Sequence, residues 1–172
     1  MVKFLVYDPS IHRSDFIKMN IAYLNWIRDE CLSYFTLDIL DILGPIDKYV
    51  DNSLPVFESF RPPTSIVYIL LYGDTIAGMG CLKQTTHEFS EIKRMYVKPG
   101  FRGKGLGKSI INKLLETASE FGHKKLRLDT GPFMQAAQNV YKNAGFYEIK
   151  EYPEAEVPQR IRFDWMFMEK IL

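Results

Sequence analysis

Cysteine is nearly absent: Cys31 and Cys81 are the only two in 172 residues, too few for a disulfide framework, so reduced thiols and a cytoplasmic location are expected. Histidine is also sparse. His12, His87 and His123 stand at no metal-ligand spacing, and no metal is expected. No apolar run approaches the roughly 18 residues of a membrane-spanning helix, which argues against a membrane partner. The opening MVKFLVYDPSIHR reaches Asp8 and Pro9 too soon for a secretory signal. A formal net charge of +1 and the lack of any nucleic-acid module argue against nucleic acid. Repeats and low-complexity tracts are missing. What remains is ordinary for a globular chain, 47% apolar and 25% charged, and is expected to form a single domain over 1–172.

One stretch stands out, Glu91 to Ser119 (EIKRMYVKPGFRGKGLGKSIINKLLETAS). Glu91 to Val97 reads as a strand, stopped by Lys98-Pro99-Gly100, because proline lacks a ladder donor and glycine tolerates turn dihedrals. From Leu106 the apolar residues Ile110, Ile111, Leu114, Leu115 and Ala118 follow a helical stripe. Between strand and helix lies Arg102-Gly103-Lys104-Gly105-Leu106-Gly107-Lys108. Small residues there admit a ligand to the backbone, and the first turn of a helix presents unpaired N–H groups. With the positive helix end and the cations Lys93, Arg94, Lys98, Arg102, Lys104, Lys108 and Lys113, uninterrupted by any acid, this is an anion site suited to phosphates.

Three phosphate motifs compete for this turn. A dinucleotide fingerprint needs G-x-G-x-x-G, whereas Gly103, Gly105 and Gly107 give G-x-G-x-G. A Walker A loop needs G-x-x-x-x-G-K-[ST]; Gly107-Lys108-Ser109 supplies its end, but Arg102 occupies the place of its first glycine. The pattern [RQ]-x-x-G-x-[GA] is met in full by Arg102, Gly105 and Gly107. Downstream, Ala137, Val140, Tyr141, Gly145 and Phe146 fit A-x-x-[LV]-Y-x-x-x-G-F. On these two ordered motifs the chain resembles the GNAT superfamily of acyl-CoA N-acyltransferases, from about Thr64 to Ile149.

Periodicity orders the rest. Residues 3–7 read as a strand, Ser14 as the cap of a helix through Ile17, Ile21, Leu24 and Ile27 or Cys31, and Leu37–Val50 as helical, interrupted by Gly44-Pro45. Asn52–Pro63 reads as a loop. Ser65–Leu71 and Ile76–Leu82 form a hairpin about Gly73-Asp74, with His87–Val97 the next strand. A helix to Phe121, a strand over Lys125–Asp129, a helix over Gln135–Asn143, and strands over 146–149 and 161–168 follow, the last two joined by EYPEAEVPQR. The expected class is α/β (mixed α+β): a twisted mixed sheet of about six to seven strands covered by helices on both faces, the GNAT plan.

The resemblance implies acetyl-CoA as co-substrate, its pyrophosphate on Arg102, Gly103, Lys104, Gly105, Leu106, Gly107 and Lys108, and its pantetheine arm along Met95, Tyr96 and Val97. It implies acetyl transfer by direct attack of a primary amine, on a small molecule or peptide. An ammonium cannot attack, so a carboxylate must take its proton. Glu91 is the candidate base, eleven residues before Arg102 as in several family members; a solvated or Arg94-paired carboxylate is the competing reading. Asp129 is the alternative base, or a turn cap before Thr130-Gly131. Tyr141 is the candidate acid for the departing thiolate, a transfer uphill by about 2 kcal/mol at ordinary pKa values, against a packing role in the core. Asn139 is a further cofactor candidate or a solvent-facing residue. Where many family members carry an asparagine that contacts the pantetheine arm, this chain has Met134. Tyr23 and Trp26 are candidates for the acceptor site. The seven acids and two bases between Arg28 and Glu58 either attract a cationic acceptor or face outward on helices. A monomer or homodimer is expected, and an acyl-CoA-binding sensor without turnover is the alternative function.

Overall fold

The computed structural model describes residues 1–172. In chain order the elements are β1 (Val2–Val6), α1 (Pro9–Phe35), α2 (Leu40–Leu43), α3 (Ile46–Glu58), β2 (Ile66–Tyr72), β3 (Thr75–Gln84), β4 (Phe89–Val97), α4 (Leu106–Glu120), β5 (Lys125–Thr130), α5 (Gln135–Asn143), β6 (Tyr147–Ile149) and β7 (Met166–Ile171). The strands form one seven-stranded sheet in the order β1-β2-β3-β4-β5-β7-β6, antiparallel throughout except where β4 lies parallel to β5.

Alternation along the central strands builds a core on each face. On β2, Ile66, Tyr68 and Leu70 meet Ile110, Ile111 and Leu114 of α4, while Val67 and Ile69 turn to Phe16 and Met19 of α1 and Leu54 of α3. Leu114 and Leu54 are almost wholly enclosed, and cutting either to alanine should cost about 2–5 kcal/mol. Helix α4 sits so close on β3 that a Cβ at Gly80 would lie 2.5 Å from Ile110 Cγ2, so only glycine fits there. No helix is long and apolar enough to cross a membrane.

Two irregularities open the sheet. Arg94 and Met95 of β4 face the single residue Gly80 on β3, a bulge with Arg94 held at φ 53°. On its other edge β4 pairs with β5 only at Phe89–Lys125, Ser90–Leu126 and Glu91–Arg127. Beyond Glu91 the two strands part. β5 stays paired with β7 to Thr130, and residues 92–97 of β4 have no strand partner on that side.

Three sequence expectations need correction. Helix α1 starts at Pro9, not after Ser14: Asp8 caps it by accepting from the Ser10 N–H at 2.8 Å, and proline fits the first helical position. Asn52–Glu58 is helical rather than loop, because Val50, Leu54 and Phe57 recur at helical spacing into the core, which outweighs Pro55 inside α3. The strand expected at 161–168 starts only at Met166. Before it, Ile161 packs with Tyr152, Val157 and Phe167, and the Arg162 guanidinium donates to the Ala155 and Val157 carbonyls, holding a short 3-10 turn at Arg162–Asp164.

Candidate active site

The turn from Gly103 to Lys108 is an amide cradle. None of the backbone N–H groups of these six residues donates to a protein acceptor, and no side chain caps α4. Gly103 and Gly105 take φ of 76° and 74°, where an L side chain is strained, and a Cβ at either would meet nothing within 4 Å. Space therefore lies open above the amides. The first turn of α4 holds no acid, and Arg102, Lys104 and Lys108 join no ion pair. Arg102 donates Nε to the Val97 carbonyl at 3.3 Å with its guanidinium 5.7 Å from the Trp26 ring; Lys104 rests over Tyr72 and Phe101. A poly-anion with two or more phosphate groups fits such a set of free donors and cations.

From the cradle a cleft of about 510 Å³ runs into the gap between β4 and β5. Met95, Tyr96 and Val97 form its strand wall, with Arg102, Gly103, Gly105, Leu106, Gly107 and Lys108 at one end. Tyr23 and Trp26 of α1 line the opposite side, and Asp129 and Tyr141 face in from beyond the gap. Three sequence candidates lie outside it. The Lys104 side chain stands at the rim over its aromatic pair, Asn139 is exposed on α5, and Glu91 is enclosed behind the cleft wall. Nor does any of the seven acids between Asp29 and Glu58 reach the cleft. Asp38, in the connection before α2, accepts from Arg28, and Glu58, at the end of α3, from Arg13.

The cation run also divides. Lys113 pairs with Glu116 along α4, and Lys93 turns away from the cradle into a carboxylate cluster. Its Nζ lies 2.8 Å from Glu91 Oε1, 3.4 Å from Glu156 and 3.7 Å from Asp129 Oδ2. The partner of Glu91 is thus Lys93, not Arg94. Glu91 is 1% exposed, accepts from the Tyr152 hydroxyl at 2.8 Å, and leaves Oε2 without a partner. Burial pushes its carboxyl above the ordinary value against the pull of Lys93 and Tyr152. Burial alone would lower the Lys93 ammonium, but Asp129, Glu91 and Glu156 outweigh it and hold the ammonium charged. Asp129 is fixed by the Trp165 indole, which donates to Oδ1 at 2.9 Å, leaving Oδ2 toward Lys93 and the cleft.

Tyr141 is buried among the core residues of α4 and Phe146, yet its hydroxyl makes no hydrogen bond within the protein. Burial, with smaller contributions from Tyr23 and Asp129, raises its pKa, so it is a proton donor throughout the physiological range. Burial likewise pushes the Tyr23 phenol up to about 12.

The arrangement can hold a phosphate-bearing chain, lay an extended arm along a strand edge, and move a proton between a phenol and a carboxylate cluster. A family profile settles its kinship: that of the "Acetyltransferase (GNAT) family" matches residues 24–146. The chain belongs to the GNAT family.

Among relatives of this GNAT, an uncharacterized N-acetyltransferase of Escherichia coli, YjgM, is 31% identical over 97 residues, 55% of the present chain and 58% of that protein. The chain thus spans less than two thirds of the length of that relative. An acetyltransferase from Streptococcus agalactiae shares the fold with a TM-score of 0.72 at 17% identity, over 99% of this chain and 98% of that one. The PaiA N-acetyltransferase of Thermoplasma acidophilum, solved in complex with coenzyme A, superposes with a TM-score of 0.71 at 16% identity, over 100% and 99% of the chains. No group of three His, Cys, Asp or Glu is placed to hold a metal.

Sequence reading of this GNAT missed Lys93, Arg94, Glu156 and Trp165 as cleft residues. Lys93 and Arg94 were absorbed into the phosphate-directed charge run. Glu156 and Trp165 come from the irregular segment before β7, where no periodicity marks a facing side.

Proposed function

We propose that this GNAT transfers an acetyl group from acetyl-CoA to a primary amine of a small molecule or peptide. The observation that carries the reading is the row of six unpaired amides at residues 103–108 opening into the β4–β5 gap. Coenzyme A fits both parts: a diphosphate for the amides and cations, and an amide-bearing arm that can pair with the free edge of β4 as a peptide adds to a sheet. The PaiA N-acetyltransferase complex, with the same fold and coenzyme A bound, supports the choice. When bound, acetyl-CoA supplies a thioester already reactive toward a free amine, so the protein has to align the two and manage protons.

Arg102, Lys108 and the amides of Gly103 to Lys108 hold the diphosphate, with Lys104 at the rim. Met95 to Val97 orient the arm. The amine nitrogen attacks the thioester carbonyl carbon; its bond to carbon forms as the carbon–sulfur bond breaks. The proton shed by the amine goes to Asp129, a carboxylate that lines the cleft and is held in place by the Trp165 indole. Glu91, the candidate from strand position, acts from behind Lys93 as the reserve of the same cluster, its carboxyl raised by burial. Tyr141, with no partner for its hydroxyl inside the protein, donates to the departing thiolate. Trp26 and Tyr23 close the acceptor side.

The test is calorimetric titration with coenzyme A, followed by thiol release from acetyl-CoA across an amine panel. Binding with amine-dependent thiol release is expected. Binding without release for any amine would leave a sensor, and no binding would remove the reading altogether.

A further inference from the structure

Arg94 and Lys93 are consecutive cations in the same cleft with opposite surroundings. Lys93 is ringed by three carboxylates, whereas Arg94 joins no ion pair and makes no hydrogen bond, and its Nε is fully enclosed without a partner. The Arg94 guanidinium lies 5.5 Å from the Phe57 ring and 5.9 Å from the Tyr49 ring, held on aromatic faces of α3. Its backbone sits at φ 53° in the β4 bulge, a left-handed conformation that is strained for a non-glycine residue. The bulge sends two successive side chains, Lys93 and Arg94, toward the α1/α3 face, where strict alternation would send only one.

The cradle at 103–108 does not explain this cation. That turn leads into α4, on the opposite sheet face from α3, and it has cations of its own. Much of the cleft that Arg94 lines is apolar, with Tyr23, Leu24, Ile39 and Leu43 in its walls. A half-buried guanidinium whose Nε is enclosed without a partner suits a carboxylate in such a place, since a carboxylate accepts two parallel charge-assisted hydrogen bonds. Asp129 and Glu156, lining the same cleft, suit an ammonium.

We propose that Arg94 recognises a carboxylate on the acceptor, and that the acceptor is an apolar amino acid, its amine toward Asp129 and its carboxylate on the guanidinium. This deepens the acetyl-transfer reading and rests on it. Specificity for such a molecule then comes from the bulge, which aims the guanidinium, and the size of the side chain accepted comes from the apolar walls.

The experiment compares L-phenylalanine, L-leucine and L-methionine with their carboxamides as acceptors, in the wild type and in Arg94→Gln. Differences in intrinsic amine basicity cancel in the ratio of ratios. The acid-to-amide preference in kcat/KM should fall roughly 10- to 100-fold in the variant, the size of one lost charged hydrogen-bond pair, through KM for the acid and with KM for acetyl-CoA unchanged. Arg94→Lys, which keeps the charge without the fork, should recover only part of it. Arg94→Asn, tolerant of left-handed backbone, replaces Gln if that variant folds poorly. Equal losses on acid and amide, or an unchanged ratio, would overturn the proposal. A second readout needs no turnover: N-acetyl-L-phenylalanine should perturb the fluorescence of Trp26 and Trp165 at lower concentration than its amide, and only with Arg94 present. Equal binding of the two overturns the role of Arg94. Absence of thiol release with every amine overturns the transferase reading instead, leaving the binding comparison to decide Arg94 by itself.

Discussion

Position 107 separates binding from folding. Gly107 sits in the first turn of α4 at an ordinary helical φ, and a Cβ there would touch only Met95 Cε and Val140 Cγ2, each at 3.7 Å. Gly107→Ala should therefore fit, and because alanine exceeds glycine in helix propensity by about 0.8–1.0 kcal/mol, it should unfold at slightly higher urea. Gly107→Val keeps part of that gain, since valine falls at most about 0.7 kcal/mol below alanine. Its two γ-methyl groups, however, must lie against Met95, Val140 or the open side of the amides. Loss of one charge-assisted bond to the diphosphate is worth about 1.5–3 kcal/mol, roughly a ten- to 150-fold rise in the dissociation constant for coenzyme A. Calorimetry on the three proteins, with urea unfolding alongside, gives both quantities. A folded Gly107→Val protein that binds coenzyme A as tightly as the wild type would refute the cradle.

Tyr141→Phe should slow acetyl transfer roughly 10²- to 10⁴-fold while leaving coenzyme A affinity intact; full activity would reduce Tyr141 to packing. Because burial holds that phenol above its ordinary value of about 10, wild-type turnover should show no alkaline fall between about pH 8 and pH 9.5. Asp129→Asn should lower kcat/KM at pH 7 roughly 10²- to 10⁴-fold, recovering in part as pH rises, and Glu91→Gln by less than about tenfold. The reverse order would give the base to Glu91. Lys93→Met should destabilise by about 3 kcal/mol at pH 8, since three carboxylates lose their shared cation. Without that cation the folded pKa of Glu91 rises further, and stability from a raised carboxyl is present at low pH and lost as pH climbs through it. The loss should therefore shrink at pH 5, and urea midpoints displaced equally at both pH values would contradict the cluster.

The hairpin about Gly73-Asp74, helix α4, and α5 over Gln135–Asn143 were legible because each is set by local signals: a tight turn, an apolar stripe, a terminal glycine. The cradle was legible for the same reason, since its glycines, cations and helix start are contiguous. Elements settled by distant packing were not. Helix α3 runs through Pro55 because Leu54 and Phe57 find a core, and β7 begins late because Ile161 is claimed by Tyr152 and Val157. The cluster about Lys93 draws Glu91 from β4, Asp129 from β5 and Glu156 from an irregular segment, so no window of sequence contains it. Arg94 was indistinguishable from its cationic neighbours, because the bulge that aims it is a matter of register between two strands.

Where β4 and β5 diverge, the main chain from Ile92 to Tyr96 has no strand partner on one side. A guest arm threaded there would become, for its time of residence, an eighth ribbon between two halves of the sheet. Substrate loading would then be a folding event in miniature, stiffening the middle of the molecule and slowing deuterium uptake at those amides, with the empty form breathing along the same seam.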